Sequence, residues 1–465
     1  MESFDLIIIG GGSAGFAAAT RASELGVKTA VINDGLLGGT CVNVGCVPIK
    51  HLLEVSNAYY YPQRTPFKGF RVTGSDFNFE AAMRDKDEIV ESMRRDNYIN
   101  VIRDMPDVTL FEGRARFTST NRVEINGQIL EAPKFVITTG SRSHALPLPG
   151  VDKVSYLTNI EALSLKSQPR SLVVIGGGPL GLEFAQLFFH FGAEVTLLEK
   201  EEQILPLEEP EVSEELRKNL SEEGIRIHTG VDIIGLREED NLKVVDAKIK
   251  GSSQSFRAEQ LLMATGVVAN TENIGLELAG VETERGSIKV NQEMRTTAPH
   301  VWAAGDVVGG LCFEPVAAKE GYIAVSNAIE NSGKTIDYGS VPHTTFTNPQ
   351  AASVGWTEEA FTEKFKICAC RVVLMSYVPK AKAIKDTRGL IKMVINPQAR
   401  KIVGVHIVSP LAGDLIHEGT LAVKFGLTID EIIDTVHVFP TLSESIKLAA
   451  QAFRRDVTKM SCCVE

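Results

Sequence analysis

The sequence has no excess of positive charge, no apolar run long enough to cross a membrane and no low-complexity segment. Each absence excludes something. Lys and Arg total 48 against 59 Asp and Glu, a formal charge of −11, which argues against nucleic acid or an anionic membrane as a main partner. The start, Met1-Glu2-Ser3-Phe4-Asp5, lacks the basic segment that opens a secretory leader, and the apolar run behind it ends in glycines within a few residues. That run reads as a buried strand, so the expectation is a cytoplasmic protein without stable membrane association. Cysteines number seven, an odd count in a long chain. A structural disulfide framework is therefore not expected, and reactive or metal-binding thiols in a reducing compartment are. What is present is ordinary globular material: 44% hydrophobic and 23% charged residues over 465 positions. At roughly 150 residues per domain, that length suggests about three domains.

Residues 5–9 read Asp-Leu-Ile-Ile-Ile, a run suited to a parallel strand buried on both faces. Gly10-Gly11-Gly12-Ser13-Ala14-Gly15 follows at once, then helical composition from Phe16 to Leu25, a stop at Gly26 and a second strand from Val27 to Ile32. This is a βαβ dinucleotide unit. Gly10, Gly12 and Gly15 stand where a tight turn, close approach to a pyrophosphate and helix–strand packing need them. The helix start offers unpaired N–H groups to phosphate. The pattern recurs with strand Leu172–Ile175, turn Gly176-Gly177-Gly178-Pro179-Leu180-Gly181, helix Leu182–His190 and strand Glu194–Leu198. One such glycine motif is weak evidence. Two complete units about 165 residues apart are strong evidence for two nucleotides, one an electron donor and one a bound redox cofactor. From about residue 341 the character changes to an alternating, strand-rich stretch through Ile407, with helices expected at Ala412–Phe425 and Glu444–Phe453.

The most informative segment is Gly38-Gly39-Thr40-Cys41-Val42-Asn43-Val44-Gly45-Cys46-Val47-Pro48-Ile49-Lys50. Here the chain resembles the pyridine nucleotide–disulfide oxidoreductases, the family of lipoamide dehydrogenase, glutathione reductase and mercuric reductase. The resemblance implies that Cys41 and Cys46 lie beside a flavin and cycle between disulfide and dithiol, with Cys46 nearest the flavin and Cys41 the interchange thiol. Residues five apart on an ideal helix are separated by roughly 7.5 Å of rise, whereas disulfide Cα separations rarely exceed about 6.8 Å. The segment must therefore leave ideal helix, and Gly45 and Pro48 are the residues that permit it. A helix start at this point would also favour the thiolate.

The resemblance extends over almost the whole chain. It implies an α/β fold of two Rossmann-like dinucleotide-binding domains, for FAD and NAD(P), with a C-terminal α+β dimerisation domain. The expected divisions are 1–148 with 270–340 for FAD, 149–269 for NAD(P), and 341–465 for the interface. FAD contacts are expected from Gly10, Gly12, Gly15, Asn33, Gly39, Thr40, Lys50, Gly140 and Asp306, and NAD(P) contacts from Gly176, Gly178, Gly181, Glu199 and Gly266. Lys50 and Glu183 match a buried pair near the flavin, where the lysine charge would stabilise a reduced, anionic ring. Asn33 stands where the family usually has a glutamate for the FAD ribose, and its amide still offers hydrogen bonds. Glu199 would accept from a ribose 2′-OH and repel a 2′-phosphate, with Lys200 next to it softening that repulsion; NADH and NADPH are both expected to serve.

Disulfide reductases of the family carry His-x-His-Pro-Thr-x-x-Glu, whose second histidine is the general base. The matching run here is His437-Val438-Phe439-Pro440-Thr441-Leu442-Ser443-Glu444. A phenyl ring at 439 cannot move a proton, and His437 reads as structural. The chain ends Met460-Ser461-Cys462-Cys463-Val464-Glu465. Adjacent cysteines are about 3.8 Å apart at Cα, too close for an unstrained disulfide and well suited to a soft metal. This ending, with Lys447-Leu448-Ala449-Ala450-Gln451 and Phe453, resembles the mercuric reductases, without the extra N-terminal metal-binding domain many of them carry. That resemblance implies a homodimer in which Cys462 and Cys463 pass Hg(II), delivered as thiol complexes, to Cys41 and Cys46 of the other subunit, with Tyr98 close by and a second tyrosine replaced by Phe439. Two rivals stand beside this reading: a dihydrolipoamide dehydrogenase-like disulfide reductase, and a soft-metal binding protein without catalysis. Cys312, Cys368 and Cys370 match no family site, and Cys368-Ala369-Cys370 is expected as a buried core pair facing one side of a strand.

Overall fold

Strand Leu6–Ile9 buries all four side chains because it is the centre of a five-stranded parallel sheet. The computed structural model describes residues 2–73 and 76–460. In that sheet the order is 301–303, 135–137, 6–9, 29–33, 108–112. Alternate side chains feed two cores. Leu6 and Ile8 pack with helices Ser13–Glu24 and Glu314–Glu330, while Ile7 and Ile9 pack with Phe117, Val123 and Leu130 of a small second sheet. Gly10 turns the chain from strand to helix at φ 119°, where a Cβ would lie 2.2 Å from the Thr138 carbonyl oxygen. Only glycine satisfies both conditions.

The second unit repeats this with strand Ser171–Ile175, helix Pro179–His190 and strand Glu194–Leu198, in a parallel sheet ordered 226–228, 194–198, 171–175, 260–263. A three-stranded antiparallel sheet over 231–258 covers one face. On the other face, helix Cys46–Tyr60 sends Ile49, Leu52 and Leu53 into the core shared with Leu182 and Phe184. The helix that begins at Cys46 thus has its apolar side fixed by the second nucleotide unit. Between the units, Ser141–Ser143 pairs antiparallel with Val267–Ala269, directly after Gly140 and Gly266.

The C-terminal part is a five-stranded antiparallel sheet ordered 343–345, 350–355, 401–409, 390–396, 369–374. Helices Ala412–Phe425, Ile429–Asp434 and Glu444–Gln451 cover one face. The stretch expected to be strand-rich is interrupted by helices Glu358–Phe365 and Pro379–Ile384. Thr357 caps the first, its hydroxyl accepting from the Ala360 N–H at 3.2 Å; Pro379 begins the second at the one helical position that suits it. The last helix stops at Gln451, short of Phe453. Among the described residues no helix is long and apolar enough to cross a membrane.

Helices Ser13–Glu24 and Glu314–Glu330 meet backbone to backbone, and a Cβ on Gly321 would lie 2.1 Å from the Ala14 carbonyl oxygen. Gly321→Ala should therefore cost about 1–3 kcal/mol through overpacking. It should also push the first glycine turn out of place. Urea unfolding monitored with flavin release on dialysis checks this, with a lowered midpoint and weakened flavin retention as the expected result.

Candidate active site

The cysteine segment folds as two helices with a break between them. Gly39–Val44 ends at Gly45, and Cys46–Tyr60 begins one residue later. A side chain at Gly45 would meet the Thr40 carbonyl oxygen at 2.9 Å, so the break needs glycine. Pro48 falls in the first turn of the new helix, where its missing N–H costs nothing. The break brings the two sulfurs together, and the Cys41 thiol hydrogen-bonds the Cys46 sulfur. Donating that bond, together with burial, holds the Cys41 pKa far above the usual thiol range. Accepting it lowers the Cys46 pKa, helped by the charge of Lys50 and opposed by burial and by Glu183. The pair is chemically unequal: one protonated thiol and one readily formed thiolate at the start of a long helix.

Lys50 lies four residues after Cys46, on the same face of that helix. Its Nζ is 2.7 Å from Glu183 Oε2 and 4.7 Å from the centre of the Phe346 ring. Glu183 is only 2% exposed, and its second oxygen accepts the Phe346 N–H at 2.9 Å. The pair expected from sequence is therefore in contact and shielded. Tyr98 lies in a single π-turn, Arg95–Ile99, between helices Phe79–Arg94 and Asn100–Arg103. Its ring packs 4.8 Å from Phe16 and beside Gly38, and its hydroxyl hydrogen-bonds Ser13. Burial raises its pKa, with a further contribution from the Glu314 carboxylate. Ser13, Phe346 and Glu314 were not legible as site residues. Glu314 opens helix Glu314–Glu330, and its carboxylate acts on both Cys41 and Tyr98.

Both glycine turns are built to hold phosphate. Helices Ser13–Glu24 and Pro179–His190 start without a side-chain cap and without an acidic residue in the first turn, leaving N–H groups free for an anion. Gly15 and Gly181 close onto the carbonyls of Gly10 and Gly176, where a Cβ would lie 1.9 and 2.0 Å away. Gly12 faces Gly39 at close range, and no atom stands within 4 Å of a Cβ on Gly178. Asn33 and Glu199 occupy equivalent places: Asn33 Oδ1 accepts from Gly11 N at 3.0 Å, and Glu199 Oε2 from Gly177 N at 2.5 Å. A cavity of about 400 Å³ beside Asn33 is lined by Leu37, Arg94, Ile102 and Arg103. Asp306 accepts from Ser141 Oγ at 2.6 Å, beside Gly140. These residues fit a dinucleotide in each turn.

The histidine-like run leaves no base at 439. Phe439 is 54% exposed, and Glu444 accepts the Thr441 N–H at 3.3 Å instead of orienting an imidazole. His437 is satisfied at both nitrogens, by Glu418 Oε1 at 2.8 Å and the Thr435 carbonyl at 3.0 Å. Cys462 and Cys463 lie outside the described residues. Cys312 is exposed beside the Asp306 turn. Cys368 and Cys370 are not a buried core pair: both are partly exposed and bond to polar groups of helix Glu358–Phe365. The apolar side of their strand is the other one, carried by Val373.

The electrostatics of the pair predict two opposite shifts. Lys50→Met removes a charge that lowers the Cys46 pKa, and Glu183→Gln removes one that raises it. In the reduced protein, the pH midpoint for alkylation of Cys46 by iodoacetamide should move up in the first variant and down in the second. Equal midpoints would show that neither charge acts on the thiol.

Comparison with known proteins agrees with this architecture. The description "Pyridine nucleotide-disulphide oxidoreductase" matches residues 4–331, and the dimerisation domain of the same family matches 341–450. A mercuric reductase of Lysinibacillus sphaericus is 40% identical over 463 residues, spanning 99% of this chain and 85% of that protein. A dihydrolipoyl dehydrogenase of Bacillus subtilis (strain 168) is 35% identical over 97% of this chain and 98% of its own length. Among solved structures, the Cu(II) complex of the HOCl-induced flavoprotein disulfide reductase RclA from Escherichia coli superposes with a TM-score of 0.87 at 26% identity, covering 97% of this chain and all of that one. With two uncapped glycine turns, a broken-helix cysteine pair and relatives matched over nearly the whole of this chain, the chain belongs to the pyridine nucleotide–disulfide oxidoreductases, enzymes that work with FAD and NAD(P)H.

Proposed function

We propose that the protein is a mercuric ion reductase, taking Hg(II) to Hg(0) at the expense of NAD(P)H. The observation that carries this is the combination at the thiol site. An asymmetric cysteine pair is present, while the proton-transfer position is Phe439 and Glu444 is engaged with backbone. Thiol–disulfide exchange with an organic substrate needs an acid–base group to deprotonate the attacking thiol and protonate the leaving thiolate. Ligand exchange on a thiophilic metal does not, because the incoming thiolates carry the bond and the departing thiols carry the proton. The 40% identity to mercuric reductases supports the same choice.

The division of labour follows the geometry. Gly10, Gly12, Gly15, Asn33, Gly39, Thr40, Gly140 and Asp306 would hold FAD, and Gly176, Gly178, Gly181, Glu199 and Gly266 a nicotinamide dinucleotide, which together would supply the two electrons. Lys50, neutralised by Glu183, sets the local charge. Cys41-SH and Cys46-S⁻ displace two thiol ligands from Hg(SR)₂, releasing one as RSH and one as RS⁻, so protons and charge balance. The net change is Hg²⁺ + NAD(P)H → Hg⁰ + NAD(P)⁺ + H⁺. Tyr98 closes the Ser13 side of the site. Glu199 leaves NADH acceptable alongside NADPH. We assign 1–148 with 270–340 to FAD, 149–269 to the nicotinamide and 341–465 to a homodimer interface. Val436, Val438 and Phe439 are 91%, 76% and 54% exposed, an apolar run that a second subunit would cover. Cys462 and Cys463 of the partner subunit would then collect the metal, in the cytoplasm where thiol complexes of Hg(II) form.

The test is NADH and NADPH oxidation with and without Hg(II), in excess thiol. Mercury-dependent oxidation with release of volatile metal is expected. Loss of Cys41 or Cys46 should lower it by roughly two orders of magnitude or more, and a Cys462→Ala, Cys463→Ala variant should slow it when competing thiol is limiting. Turnover of lipoamide with no response to mercury would overturn the proposal in favour of a disulfide reductase.

A further inference from the structure

Cys368 and Cys370 lie far along the chain from the flavin site, at the outer edge of the C-terminal sheet. Strand Ala369–Leu374 is its edge strand and, among the described residues, pairs only with 390–396. Cys368 immediately precedes it, so the two thiols project on one side. Helix Glu358–Phe365 lies over that side. The Cys370 thiol hydrogen-bonds the Glu358 carboxylate, and Cys368 hydrogen-bonds Thr362. The match is geometric. Glu358 and Thr362 are four residues apart on the helix, about 6 Å of rise. Cys368 and Cys370 are two apart on extended chain, about 6.6 Å. Lys392, 1% exposed, reaches Glu358 at 2.8 Å and also Glu209 and Glu211. The thiols therefore sit at the partly exposed margin of an ordered ionic cluster, in a position an apolar core pair would not occupy.

We propose that Cys368 and Cys370 form a second thiol site, a two-thiolate clamp for a two-coordinate soft cation such as Hg(II) or Cu(I). The spacing suits a metal bridge better than a disulfide. Extended neighbours about 6.6 Å apart at Cα are at the upper limit for an S–S bond. Rotation about χ1 brings the sulfurs toward the separation of roughly 4.6 Å that two thiolate–metal bonds of about 2.3 Å span. Among the described residues no three His, Cys, Asp or Glu side chains are gathered to hold a metal. A cation needing four ligands finds no cage among the described residues, so the clamp proposed is one for a cation satisfied by two thiolates. The exchange is Hg²⁺ + 2 RSH → Hg(SR)₂ + 2 H⁺. The protons leave to solvent, and the product is neutral, so the Lys392–Glu358 pair beside it gains no uncompensated charge.

The inference concerns binding and not turnover, so it is tested without NAD(P)H. Reduced holoenzyme is loaded with Hg(II), passed through gel filtration in a large excess of glutathione, and assayed for metal per chain. The double variant Cys368→Ser, Cys370→Ser should retain one Hg(II) fewer per chain than the unmodified protein. Each single variant should lose that same metal completely, because one protein thiol cannot outcompete free glutathione. Flavin content shows that the variants are folded. Unchanged metal content in the double variant would overturn the proposal, and so would single variants that each keep the metal. Neither result bears on whether the flavin site reduces mercury.

Discussion

The contact on which the arrangement depends is the ion pair between Lys50 and Glu183. It joins three parts of the chain. Lys50 comes from the helix that starts at Cys46, Glu183 from the helix of the second glycine turn, and the Phe346 N–H that takes the other carboxylate oxygen from the C-terminal sheet's first loop. Glu183 is almost fully buried while Lys50 is a third exposed. Such a carboxylate is tolerable only because both oxygens are engaged, and breaking a buried pair of this kind costs about 3–5 kcal/mol. The pair holds a positive charge one helical turn from Cys46 and fixes that helix against the second βαβ unit. Packing of Ile49, Leu52 and Leu53 supplies the apolar part of the same anchorage.

From that anchorage the inequality of the two cysteines follows. Gly45 allows the chain to stop one helix and start another within a residue, so Cys46 lies at a helix start and Cys41 in the short helix before it. The hydrogen bond between them makes Cys41 the proton keeper and Cys46 the thiolate. An equal pair of thiols would have to lose two protons before binding a metal through both sulfurs. In this pair the Cys46 pKa is lowered by its partner thiol, and the Lys50 charge adds to that lowering.

Much of this was legible in the sequence because the relevant signals are local. A glycine turn between a β-branched run and a helix reports its own geometry, and both βαβ units fall within a few residues of their expected limits. Gly45 was legible as a break for the same reason. The helices Glu358–Phe365 and Pro379–Ile384 were not, since each is short and lies within an alternating pattern that reads as strand. Ser13, Glu314 and Phe346 carry no local signal at all. Each acquires its place through contacts between residues tens to hundreds of positions apart. The error over Cys368 and Cys370 has a similar origin. Alternation placed both on one side of a strand but could not say which side, and the helix that covers that side is polar where it meets them.

The segment around Phe439 carries no proton-transfer group at the position where disulfide reductases of the family have their second histidine. Glu444, freed of an imidazole to orient, turns to the Thr441 N–H, and His437 turns to Glu418. Neither residue is left to serve a substrate. The surface that remains, Val436 to Phe439, is apolar and exposed. Without a base at 439, a reaction that depends on proton transfer from a bound thiol loses its proton acceptor, whereas exchange of thiolates about a soft metal does not call for one. On the proposed reading, a phenyl ring at 439 weakens base-assisted disulfide exchange and leaves thiolate exchange about a metal intact.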